Sequence, residues 1–166
     1  MEPAARARLV ARYEEGPAVF EAALAAISPE ELDFRSAPEE WTPREITHHT
    51  ADSEMTAAIR LRRLLAEDVP VIGGYDEAEY ARRLYYDRRP INSSLAALRV
   101  ARETTVSILI HLGEDQWLRQ GTHTETGPYG VETWLDVYAA HCHDHAAQVR
   151  RMREAFGQRP HDAVYI

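Results

Sequence analysis

Residues 131–156 read VETWLDVYAAHCHDHAAQVRRMREAF, and this stretch decides the fold. Trp134, Tyr138, Val149 and Met152 fall on one stripe with His141 and His145, the spacing of a single α-helical face. A helix advances 100° per residue, so His141 and His145 stack on adjacent turns while His143 lies roughly on the opposite side. Two imidazoles so placed can both reach one divalent ion. In a chain with eight histidines such a pair also arises by chance, so a third ligand from elsewhere has to decide.

Working outward, three more long helical segments accompany this one. Residues 4–27 carry apolar positions at helical spacing, interrupted by Gly16-Pro17, which predicts one kinked helix or two short ones. Ser28-Pro29-Glu30-Glu31-Leu32 predicts a single capped turn. Thr42-Pro43-Arg44-Glu45 is a capping-box signature that starts a helix firmly at Pro43 and carries it to about Glu67. Its expected inward stripe is Ile46, His49, Ser53, Thr56, Ile59 and Arg60, with Trp41 just before the cap. That stripe is polar for a core face, and buried polar groups need partners. Tyr75–Tyr86 predicts a shorter helix. Asn92, Ser93 or Ser94 is expected to cap a further long helix that runs to Leu112 and stops at Gly113. Val69–Gly74 reads as turn, Glu114–Leu118 as one helical turn, and Gly121–Gly130 as a loop or small hairpin. The tail beyond Gly157 has no periodicity and is expected to be coil or frayed. No segment reads as a sustained strand. The fold predicted is all-α, a four-helix bundle with a long crossover and an extra short helix, in one domain spanning residues 1–166.

Composition narrows the function. The 166 residues are 45% hydrophobic and 28% charged with a net charge of −8, a field that repels a phosphate backbone and argues against nucleic-acid partners. The single cysteine, Cys142, excludes an internal disulfide. The N-terminal residues lack the apolar core of a secretory signal, and no apolar run approaches the ~20 residues of a membrane span. A cytoplasmic protein with no membrane partner is expected.

The third ligand is sought on the Thr42 helix, which offers His48 and His49. Only His49 shares the stripe of Ile46 and Ser53; His48 is turned 100° towards the flank. Three neutral imidazoles and water make the open arrangement of catalytic zinc sites, and nickel, iron or manganese accept the same donors. The run Trp41-Thr42-Pro43-Arg44-Glu45-Ile46-Thr47-His48-His49-Thr50-Ala51-Asp52-Ser53 resembles the signature opening the second helix of the DinB-like superfamily. The match is closest to its YfiT branch of metal-dependent hydrolases, related to bacillithiol S-transferases. Tyr75-Asp76-Glu77, Arg119 through His123, and Tyr138-Ala139-Ala140-His141 with His145 agree as well. The resemblance runs from about Trp41 to Phe156 and implies a four-helix bundle with a long crossover, homodimers, and a metal held at His49, His141 and His145. His143-Asp144 between two of these positions departs from the pattern without an assigned role, and an N-terminal extension carried by some relatives has no counterpart here.

Each remaining candidate has an ordinary alternative. Asp52 either orients an imidazole or bound water, or is a solvated helix charge. Arg60 either binds a substrate carboxylate or is held within the bundle. His123, in the loop expected near the metal mouth, is a substrate candidate; His48, His111 and His161 are expected at the surface. Glu45 is explained by its cap, Cys142 by burial in a helix seam, and Trp134 and Tyr138 by the core. The function expected is a metal-dependent enzyme in which zinc or nickel (iron or manganese as alternatives) activates a low-molecular-weight thiol for transfer or water for hydrolysis. With no H-E-x-x-H-type carboxylate in the sequence, thiol transfer is slightly favoured, since a thiolate needs less help. The alternative is a non-catalytic, metal-binding, stress-associated sensor or scaffold.

Overall fold

In the computed structural model, which describes residues 1–159, the elements follow in order. Helix α1 (Pro3–Ala23) and the turn α2 (Pro29–Leu32) lead to α3 (Pro43–Ala66). Strand β1 (Val71–Ile72), α4 (Glu77–Arg83) and α5 (Ile91–Leu109) come next, then the turn α6 (Glu114–Trp117), strands β2 (Gln120–His123) and β3 (Gly127–Gly130), and α7 (Val131–Gly157). The four long helices form the all-α bundle that the sequence predicts. The capping box is complete: Glu45 N–H donates to Thr42 Oγ1 at 3.2 Å, and Glu45 Oε2 accepts from Thr42 N–H at 2.8 Å.

Three details differ from the sequence reading. Helix α5 begins at Ile91 with Pro90 at the N-cap, which offers no side-chain acceptor; Asn92, Ser93 and Ser94 all lie inside its first turn, and Ser94 is turned inward to His48. It ends at Leu109, and Gly113 precedes α6 rather than terminating α5. Val71–Ile72 is not plain turn: it pairs in parallel with Thr122–His123 of β2, and β2 pairs antiparallel with β3 (Gln120 with Gly130 through His123 with Gly127), which makes the small hairpin three-stranded. Two residues are too few to show period-two alternation, so this strand has no sequence signature.

Pairwise contacts give the helix directions. His48 meets Ser94 and Glu54 meets Arg102, so α3 and α5 run parallel. The N-terminal amine of Met1 meets Glu132 and Arg153 meets the Ala23 carbonyl, so α1 and α7 are parallel too. Trp134 bonding to the Ala57 carbonyl while His145 faces His49 sets α7 antiparallel to α3. The chain therefore runs α1 up, α3 down, α5 down, α7 up. Residues 67–90 return along the length of the bundle, carrying α4 with them, because two consecutive parallel helices need a crossover.

A polar centre divides the apolar interior into two clusters, one around Trp134, Leu61 and Leu135, the other around Phe20, Ile46 and Leu98. Arg102 and Glu54 form a fully buried ion pair there, Nε to Oε2 at 2.8 Å. The Tyr13 hydroxyl donates to the other Glu54 oxygen. Arg102 also donates to the Tyr138 carbonyl at 2.9 Å and to the Tyr13 carbonyl. Pro17 explains that last bond. It lies inside the continuous, kinked α1 and lacks the N–H that would have bonded Tyr13 four residues back, so this carbonyl is free for Arg102. Gly16 completes the fit, because a Cβ there would overlap the Arg102 guanidinium.

Removing one member of a buried pair strands the other charge, at a cost of about 3–5 kcal/mol. Glu54→Leu should lower the urea-unfolding free energy by that amount. The double variant Glu54→Leu, Arg102→Met should recover only part of it: the apolar pair removes the stranded charge but leaves the buried Tyr13 hydroxyl and carbonyl without partners.

Candidate metal centre

His49 projects from α3, and His141 and His145 from successive turns of α7, across the seam where these antiparallel helices pack. One ring nitrogen from each lies within 4.8 Å of the other two. Ring centroids are 5.5 Å apart for His49 and His141, 4.8 Å for His49 and His145, and 4.5 Å for His141 and His145. The Nε2 atoms of His141 and His145 stand 3.2 Å apart. Two nitrogens on a tetrahedral ion at a zinc–nitrogen distance of ~2.0–2.1 Å are separated by about 3.3 Å, so the pair is already at ligand spacing.

Neighbouring groups fix the rings. Gln148 Oε1 lies 2.9 Å from His145 Nδ1; as an acceptor it keeps the proton on Nδ1 and leaves the Nε2 lone pair facing the centre. Trp41 stands edge-on to His49 at 4.8 Å, and Tyr138 meets His141 at 5.7 Å. His141 Nδ1 is buried and has no hydrogen-bond partner among the described residues. Burial, then the neighbouring His145, takes His49 down to about 3. His141 is driven well below its ordinary value by burial first and then by His145, His49 and Arg102. His145 is also lowered, mainly by burial. All three rings are therefore neutral near pH 7, the state in which imidazole is a ligand.

The seam opens through a cleft of about 260 Å³ lined by Glu39, Glu40, Trp41, His49, Glu77, His145 and Gln148. Glu39 and Glu40 come from the α2–α3 connection and Glu77 from the start of α4. Glu39, Glu40 and Gln148 are absent from the sequence reading, and Glu77 enters it only within the Tyr75-Asp76-Glu77 stretch that resembles the family. Gln148 carried a usable signal, lying three residues after His145 and hence over the same face. Glu39 and Glu40 carried none, and the Tyr75-Asp76-Glu77 stretch did not show where Glu77 would stand, because the crossover brings it in from a distant part of the chain.

Other candidates lie elsewhere. Asp52 does not touch the three imidazoles: its carboxylate accepts from the Tyr86 hydroxyl at 2.8 Å and pairs with Arg89 at 3.5 Å, on the crossover side of α3. His48 is not a surface residue. It is fully buried, with Nδ1 at 2.8 Å from Ser94 Oγ and Nε2 at 3.0 Å from the Arg89 carbonyl, because the returning crossover and α5 bury a second face of α3. Arg60 donates to the Tyr138 hydroxyl at 3.0 Å and the Gly73 carbonyl at 2.5 Å, and lies over the Tyr75 ring. His123 is buried on β2, against the Tyr129 ring and within 3.3 Å of the Glu125 N–H, and lines no part of this cleft. Ile59 leaves the expected stripe and is 61% exposed, since thirteen residues after Ile46 the helix has turned by about 220° from that face. Glu45 serves its cap and pairs with Arg35 at 2.7 Å. Cys142, Trp134 and Tyr138 are buried in the core as expected, and burial pushes the Cys142 thiol up to about 12. His111 is exposed, and His161 lies outside the described residues.

The DinB superfamily model matches residues 12–149, most of the chain and all three histidines. The chain belongs to the DinB superfamily. Among DinB relatives, a protein of Oceanobacillus iheyensis is 33% identical over 136 residues, covering 82% of this chain and 78% of the relative. YfiT of Bacillus subtilis is 30% identical over 145 residues, covering 87% and 82% respectively. Both are named, by inference, as metal-dependent hydrolases. The solved structure of Bacillus subtilis YfiT superposes with a TM-score of 0.88 at 27% identity, over 95% of this chain and 90% of that one. It is described as a probable metal-dependent hydrolase with an unusual four-helix bundle topology. That superposition places this DinB chain in the same architecture.

The buried imidazoles dictate an acid response. An unfolded histidine binds its proton near ~6.5, whereas His49 in the fold resists protonation down to about 3. Between those values the unfolded chain holds more protons, so stability is full above pH ~6.5 and falls as the pH drops, by up to about 1.4 kcal/mol per pH unit for such a group. The urea midpoint of the metal-free protein should fall steadily from pH 7 to pH 4, and His49→Gln should flatten that decline.

Proposed function

We propose that this chain is a metal-dependent hydrolase in which His49, His141 and His145 hold one divalent ion, zinc or nickel in the first instance, with coordination positions open to the cleft. The observation that carries the reading is the convergence of three neutral imidazole nitrogens, two of them at ligand spacing, with the His49 and His145 rings lining a solvent-open cleft. When bound, such an ion polarises a substrate oxygen and lowers the pKa of the nucleophile it holds. The residues present supply the rest. Gln148 holds the His145 ring and its tautomer, and Trp41 walls one side of His49. Glu39, Glu40 and Glu77 line the cleft and offer carboxylates that can accept a nucleophile's proton. Their presence in the cleft weighs against the thiol-transfer reading, which leaned on the absence of such a base. The names of the curated relatives point the same way.

Protein purified without a histidine tag should carry about one equivalent of metal by elemental analysis, and His145→Ala should lose it. Full occupancy in that variant overturns the ligand set. Removing the partner of a ligating histidine typically costs ~10–100-fold in metal affinity, so Gln148→Ala should weaken binding by at least about tenfold. Chelator-sensitive hydrolysis across a panel of activated esters and amides is the expected activity. Turnover seen only with a thiol (bacillithiol, mycothiol or glutathione) and a chlorinated aromatic would assign transfer instead. Stoichiometric metal with neither activity would assign a binding protein.

A further inference from the structure

The walls of the cleft carry a charge that the metal centre itself does not need. Glu39, Glu40 and Glu77 line it together with His49 and His145, and no arginine does. The sequence contains no lysine, so every basic side chain besides histidine is an arginine. Several of those near it in sequence are occupied: Arg35 pairs with Glu45 and donates to the Glu40 backbone carbonyl, Arg44 pairs with Asp33, and Arg82 and Arg83 pair with Glu79; Arg150 and Arg151, just after Gln148 on α7, are exposed and do not line the cleft. The side chains of Glu39, Glu40 and Glu77 have neither a hydrogen bond nor an ion pair among the described residues. They do not form a second metal site, since the only convergent group of metal-ligating side chains among the described residues is the histidine trio. Three unpaired carboxylates are thus arrayed around the approach to a centre whose own ligands are neutral.

We propose, resting on the metal-centre reading above, that this ring selects the substrate: the molecule that binds the centre presents a positively charged group, a protonated amine, to Glu39, Glu40 and Glu77. Carboxylates on an enclosing wall attract a cation and repel an anion through the same field. A polyanionic thiol or a substrate with a free carboxylate pointing outward meets like charge on entry. An amine-bearing substrate exchanges its hydration for the ring, and its reactive end is directed to the imidazoles below.

The test uses three thiols of one size as probes of the metal-loaded protein. Cysteamine carries an ammonium, 2-mercaptoethanol a hydroxyl and 3-mercaptopropionate a carboxylate, each two carbons from the sulfur. Their thiol acidities differ, so the quantity read is the change in each affinity between the wild-type protein and Glu39→Gln, Glu40→Gln, Glu77→Gln. Titration is followed by the thiolate absorption of the cobalt-loaded protein. All three probes bind as thiolates and share whatever the loss of three carboxylates does to that step, so the changes are read relative to 2-mercaptoethanol: with exposed charge pairs each contributing modestly, cysteamine should lose about tenfold against it in the triple variant and 3-mercaptopropionate should gain. The cysteamine effect should shrink in high salt. Glu77→Gln alone should show the same order with smaller changes, which covers a triple variant that fails to fold. Affinities that are unchanged, or that change equally for all three probes, overturn the charge selection while leaving the metal centre standing. A protein that takes up no cobalt overturns the metal centre, and this proposal with it.

Discussion

The Arg102–Glu54 pair at the middle of the bundle is the contact on which the rest of the architecture depends. A four-helix bundle secures neighbouring helices through its seams, but its diagonals meet only at the axis. Here the Tyr13 hydroxyl joins α1 to α3 across one diagonal, and Arg102 joins α5 to the Tyr138 carbonyl of α7 across the other. The same guanidinium closes the ring through the carbonyl that Pro17 leaves free. A fully buried charge pair adds little net stability, yet leaving either member unpaired is costly, so it restricts the ways in which the four helices can be assembled.

The metal centre inherits that restriction. Tyr138 lies one turn before His141, so the carbonyl held by Arg102 pins α7 just below its two histidines. Arg12, donating to the next carbonyl, Ala139, at 3.2 Å, reinforces it. On α3, Glu54 sits five residues beyond His49. The ion pair therefore anchors both histidine-bearing helices within about two turns of the imidazoles, and its positive end also discourages protonation of His141. Helix ends and loops would give far looser placement.

Much of this was legible in the residues, and the rest was hidden for identifiable reasons. The helices followed from apolar spacing and from the Thr42 box, and the grouping of His49 with His141 and His145 followed from face geometry together with the family signature. The central ion pair was missed because Arg102 occupies a place in the stripe between Leu98 and Leu109 where a charged residue is usually assigned to solvent; nothing local shows that Glu54, 48 residues away, is its partner. His48 was misplaced for a similar reason. A one-face model of an amphipathic helix fails when a crossover covers a second face, and that depends on topology rather than on α3 itself. Asp52 points into the same covered flank. The acidic walls of the cleft come from two segments brought together only by the fold.

The three histidines stand on helices in a packed interior, whereas most of the cleft wall is contributed by the connections after α2 and before α4. Exchanging residues 36–41 or 73–77 would alter what the cavity admits without disturbing the register of a single helix. One bundle can in this way keep a constant reactive floor beneath interchangeable walls, so that relatives with the same three histidines need not share a substrate.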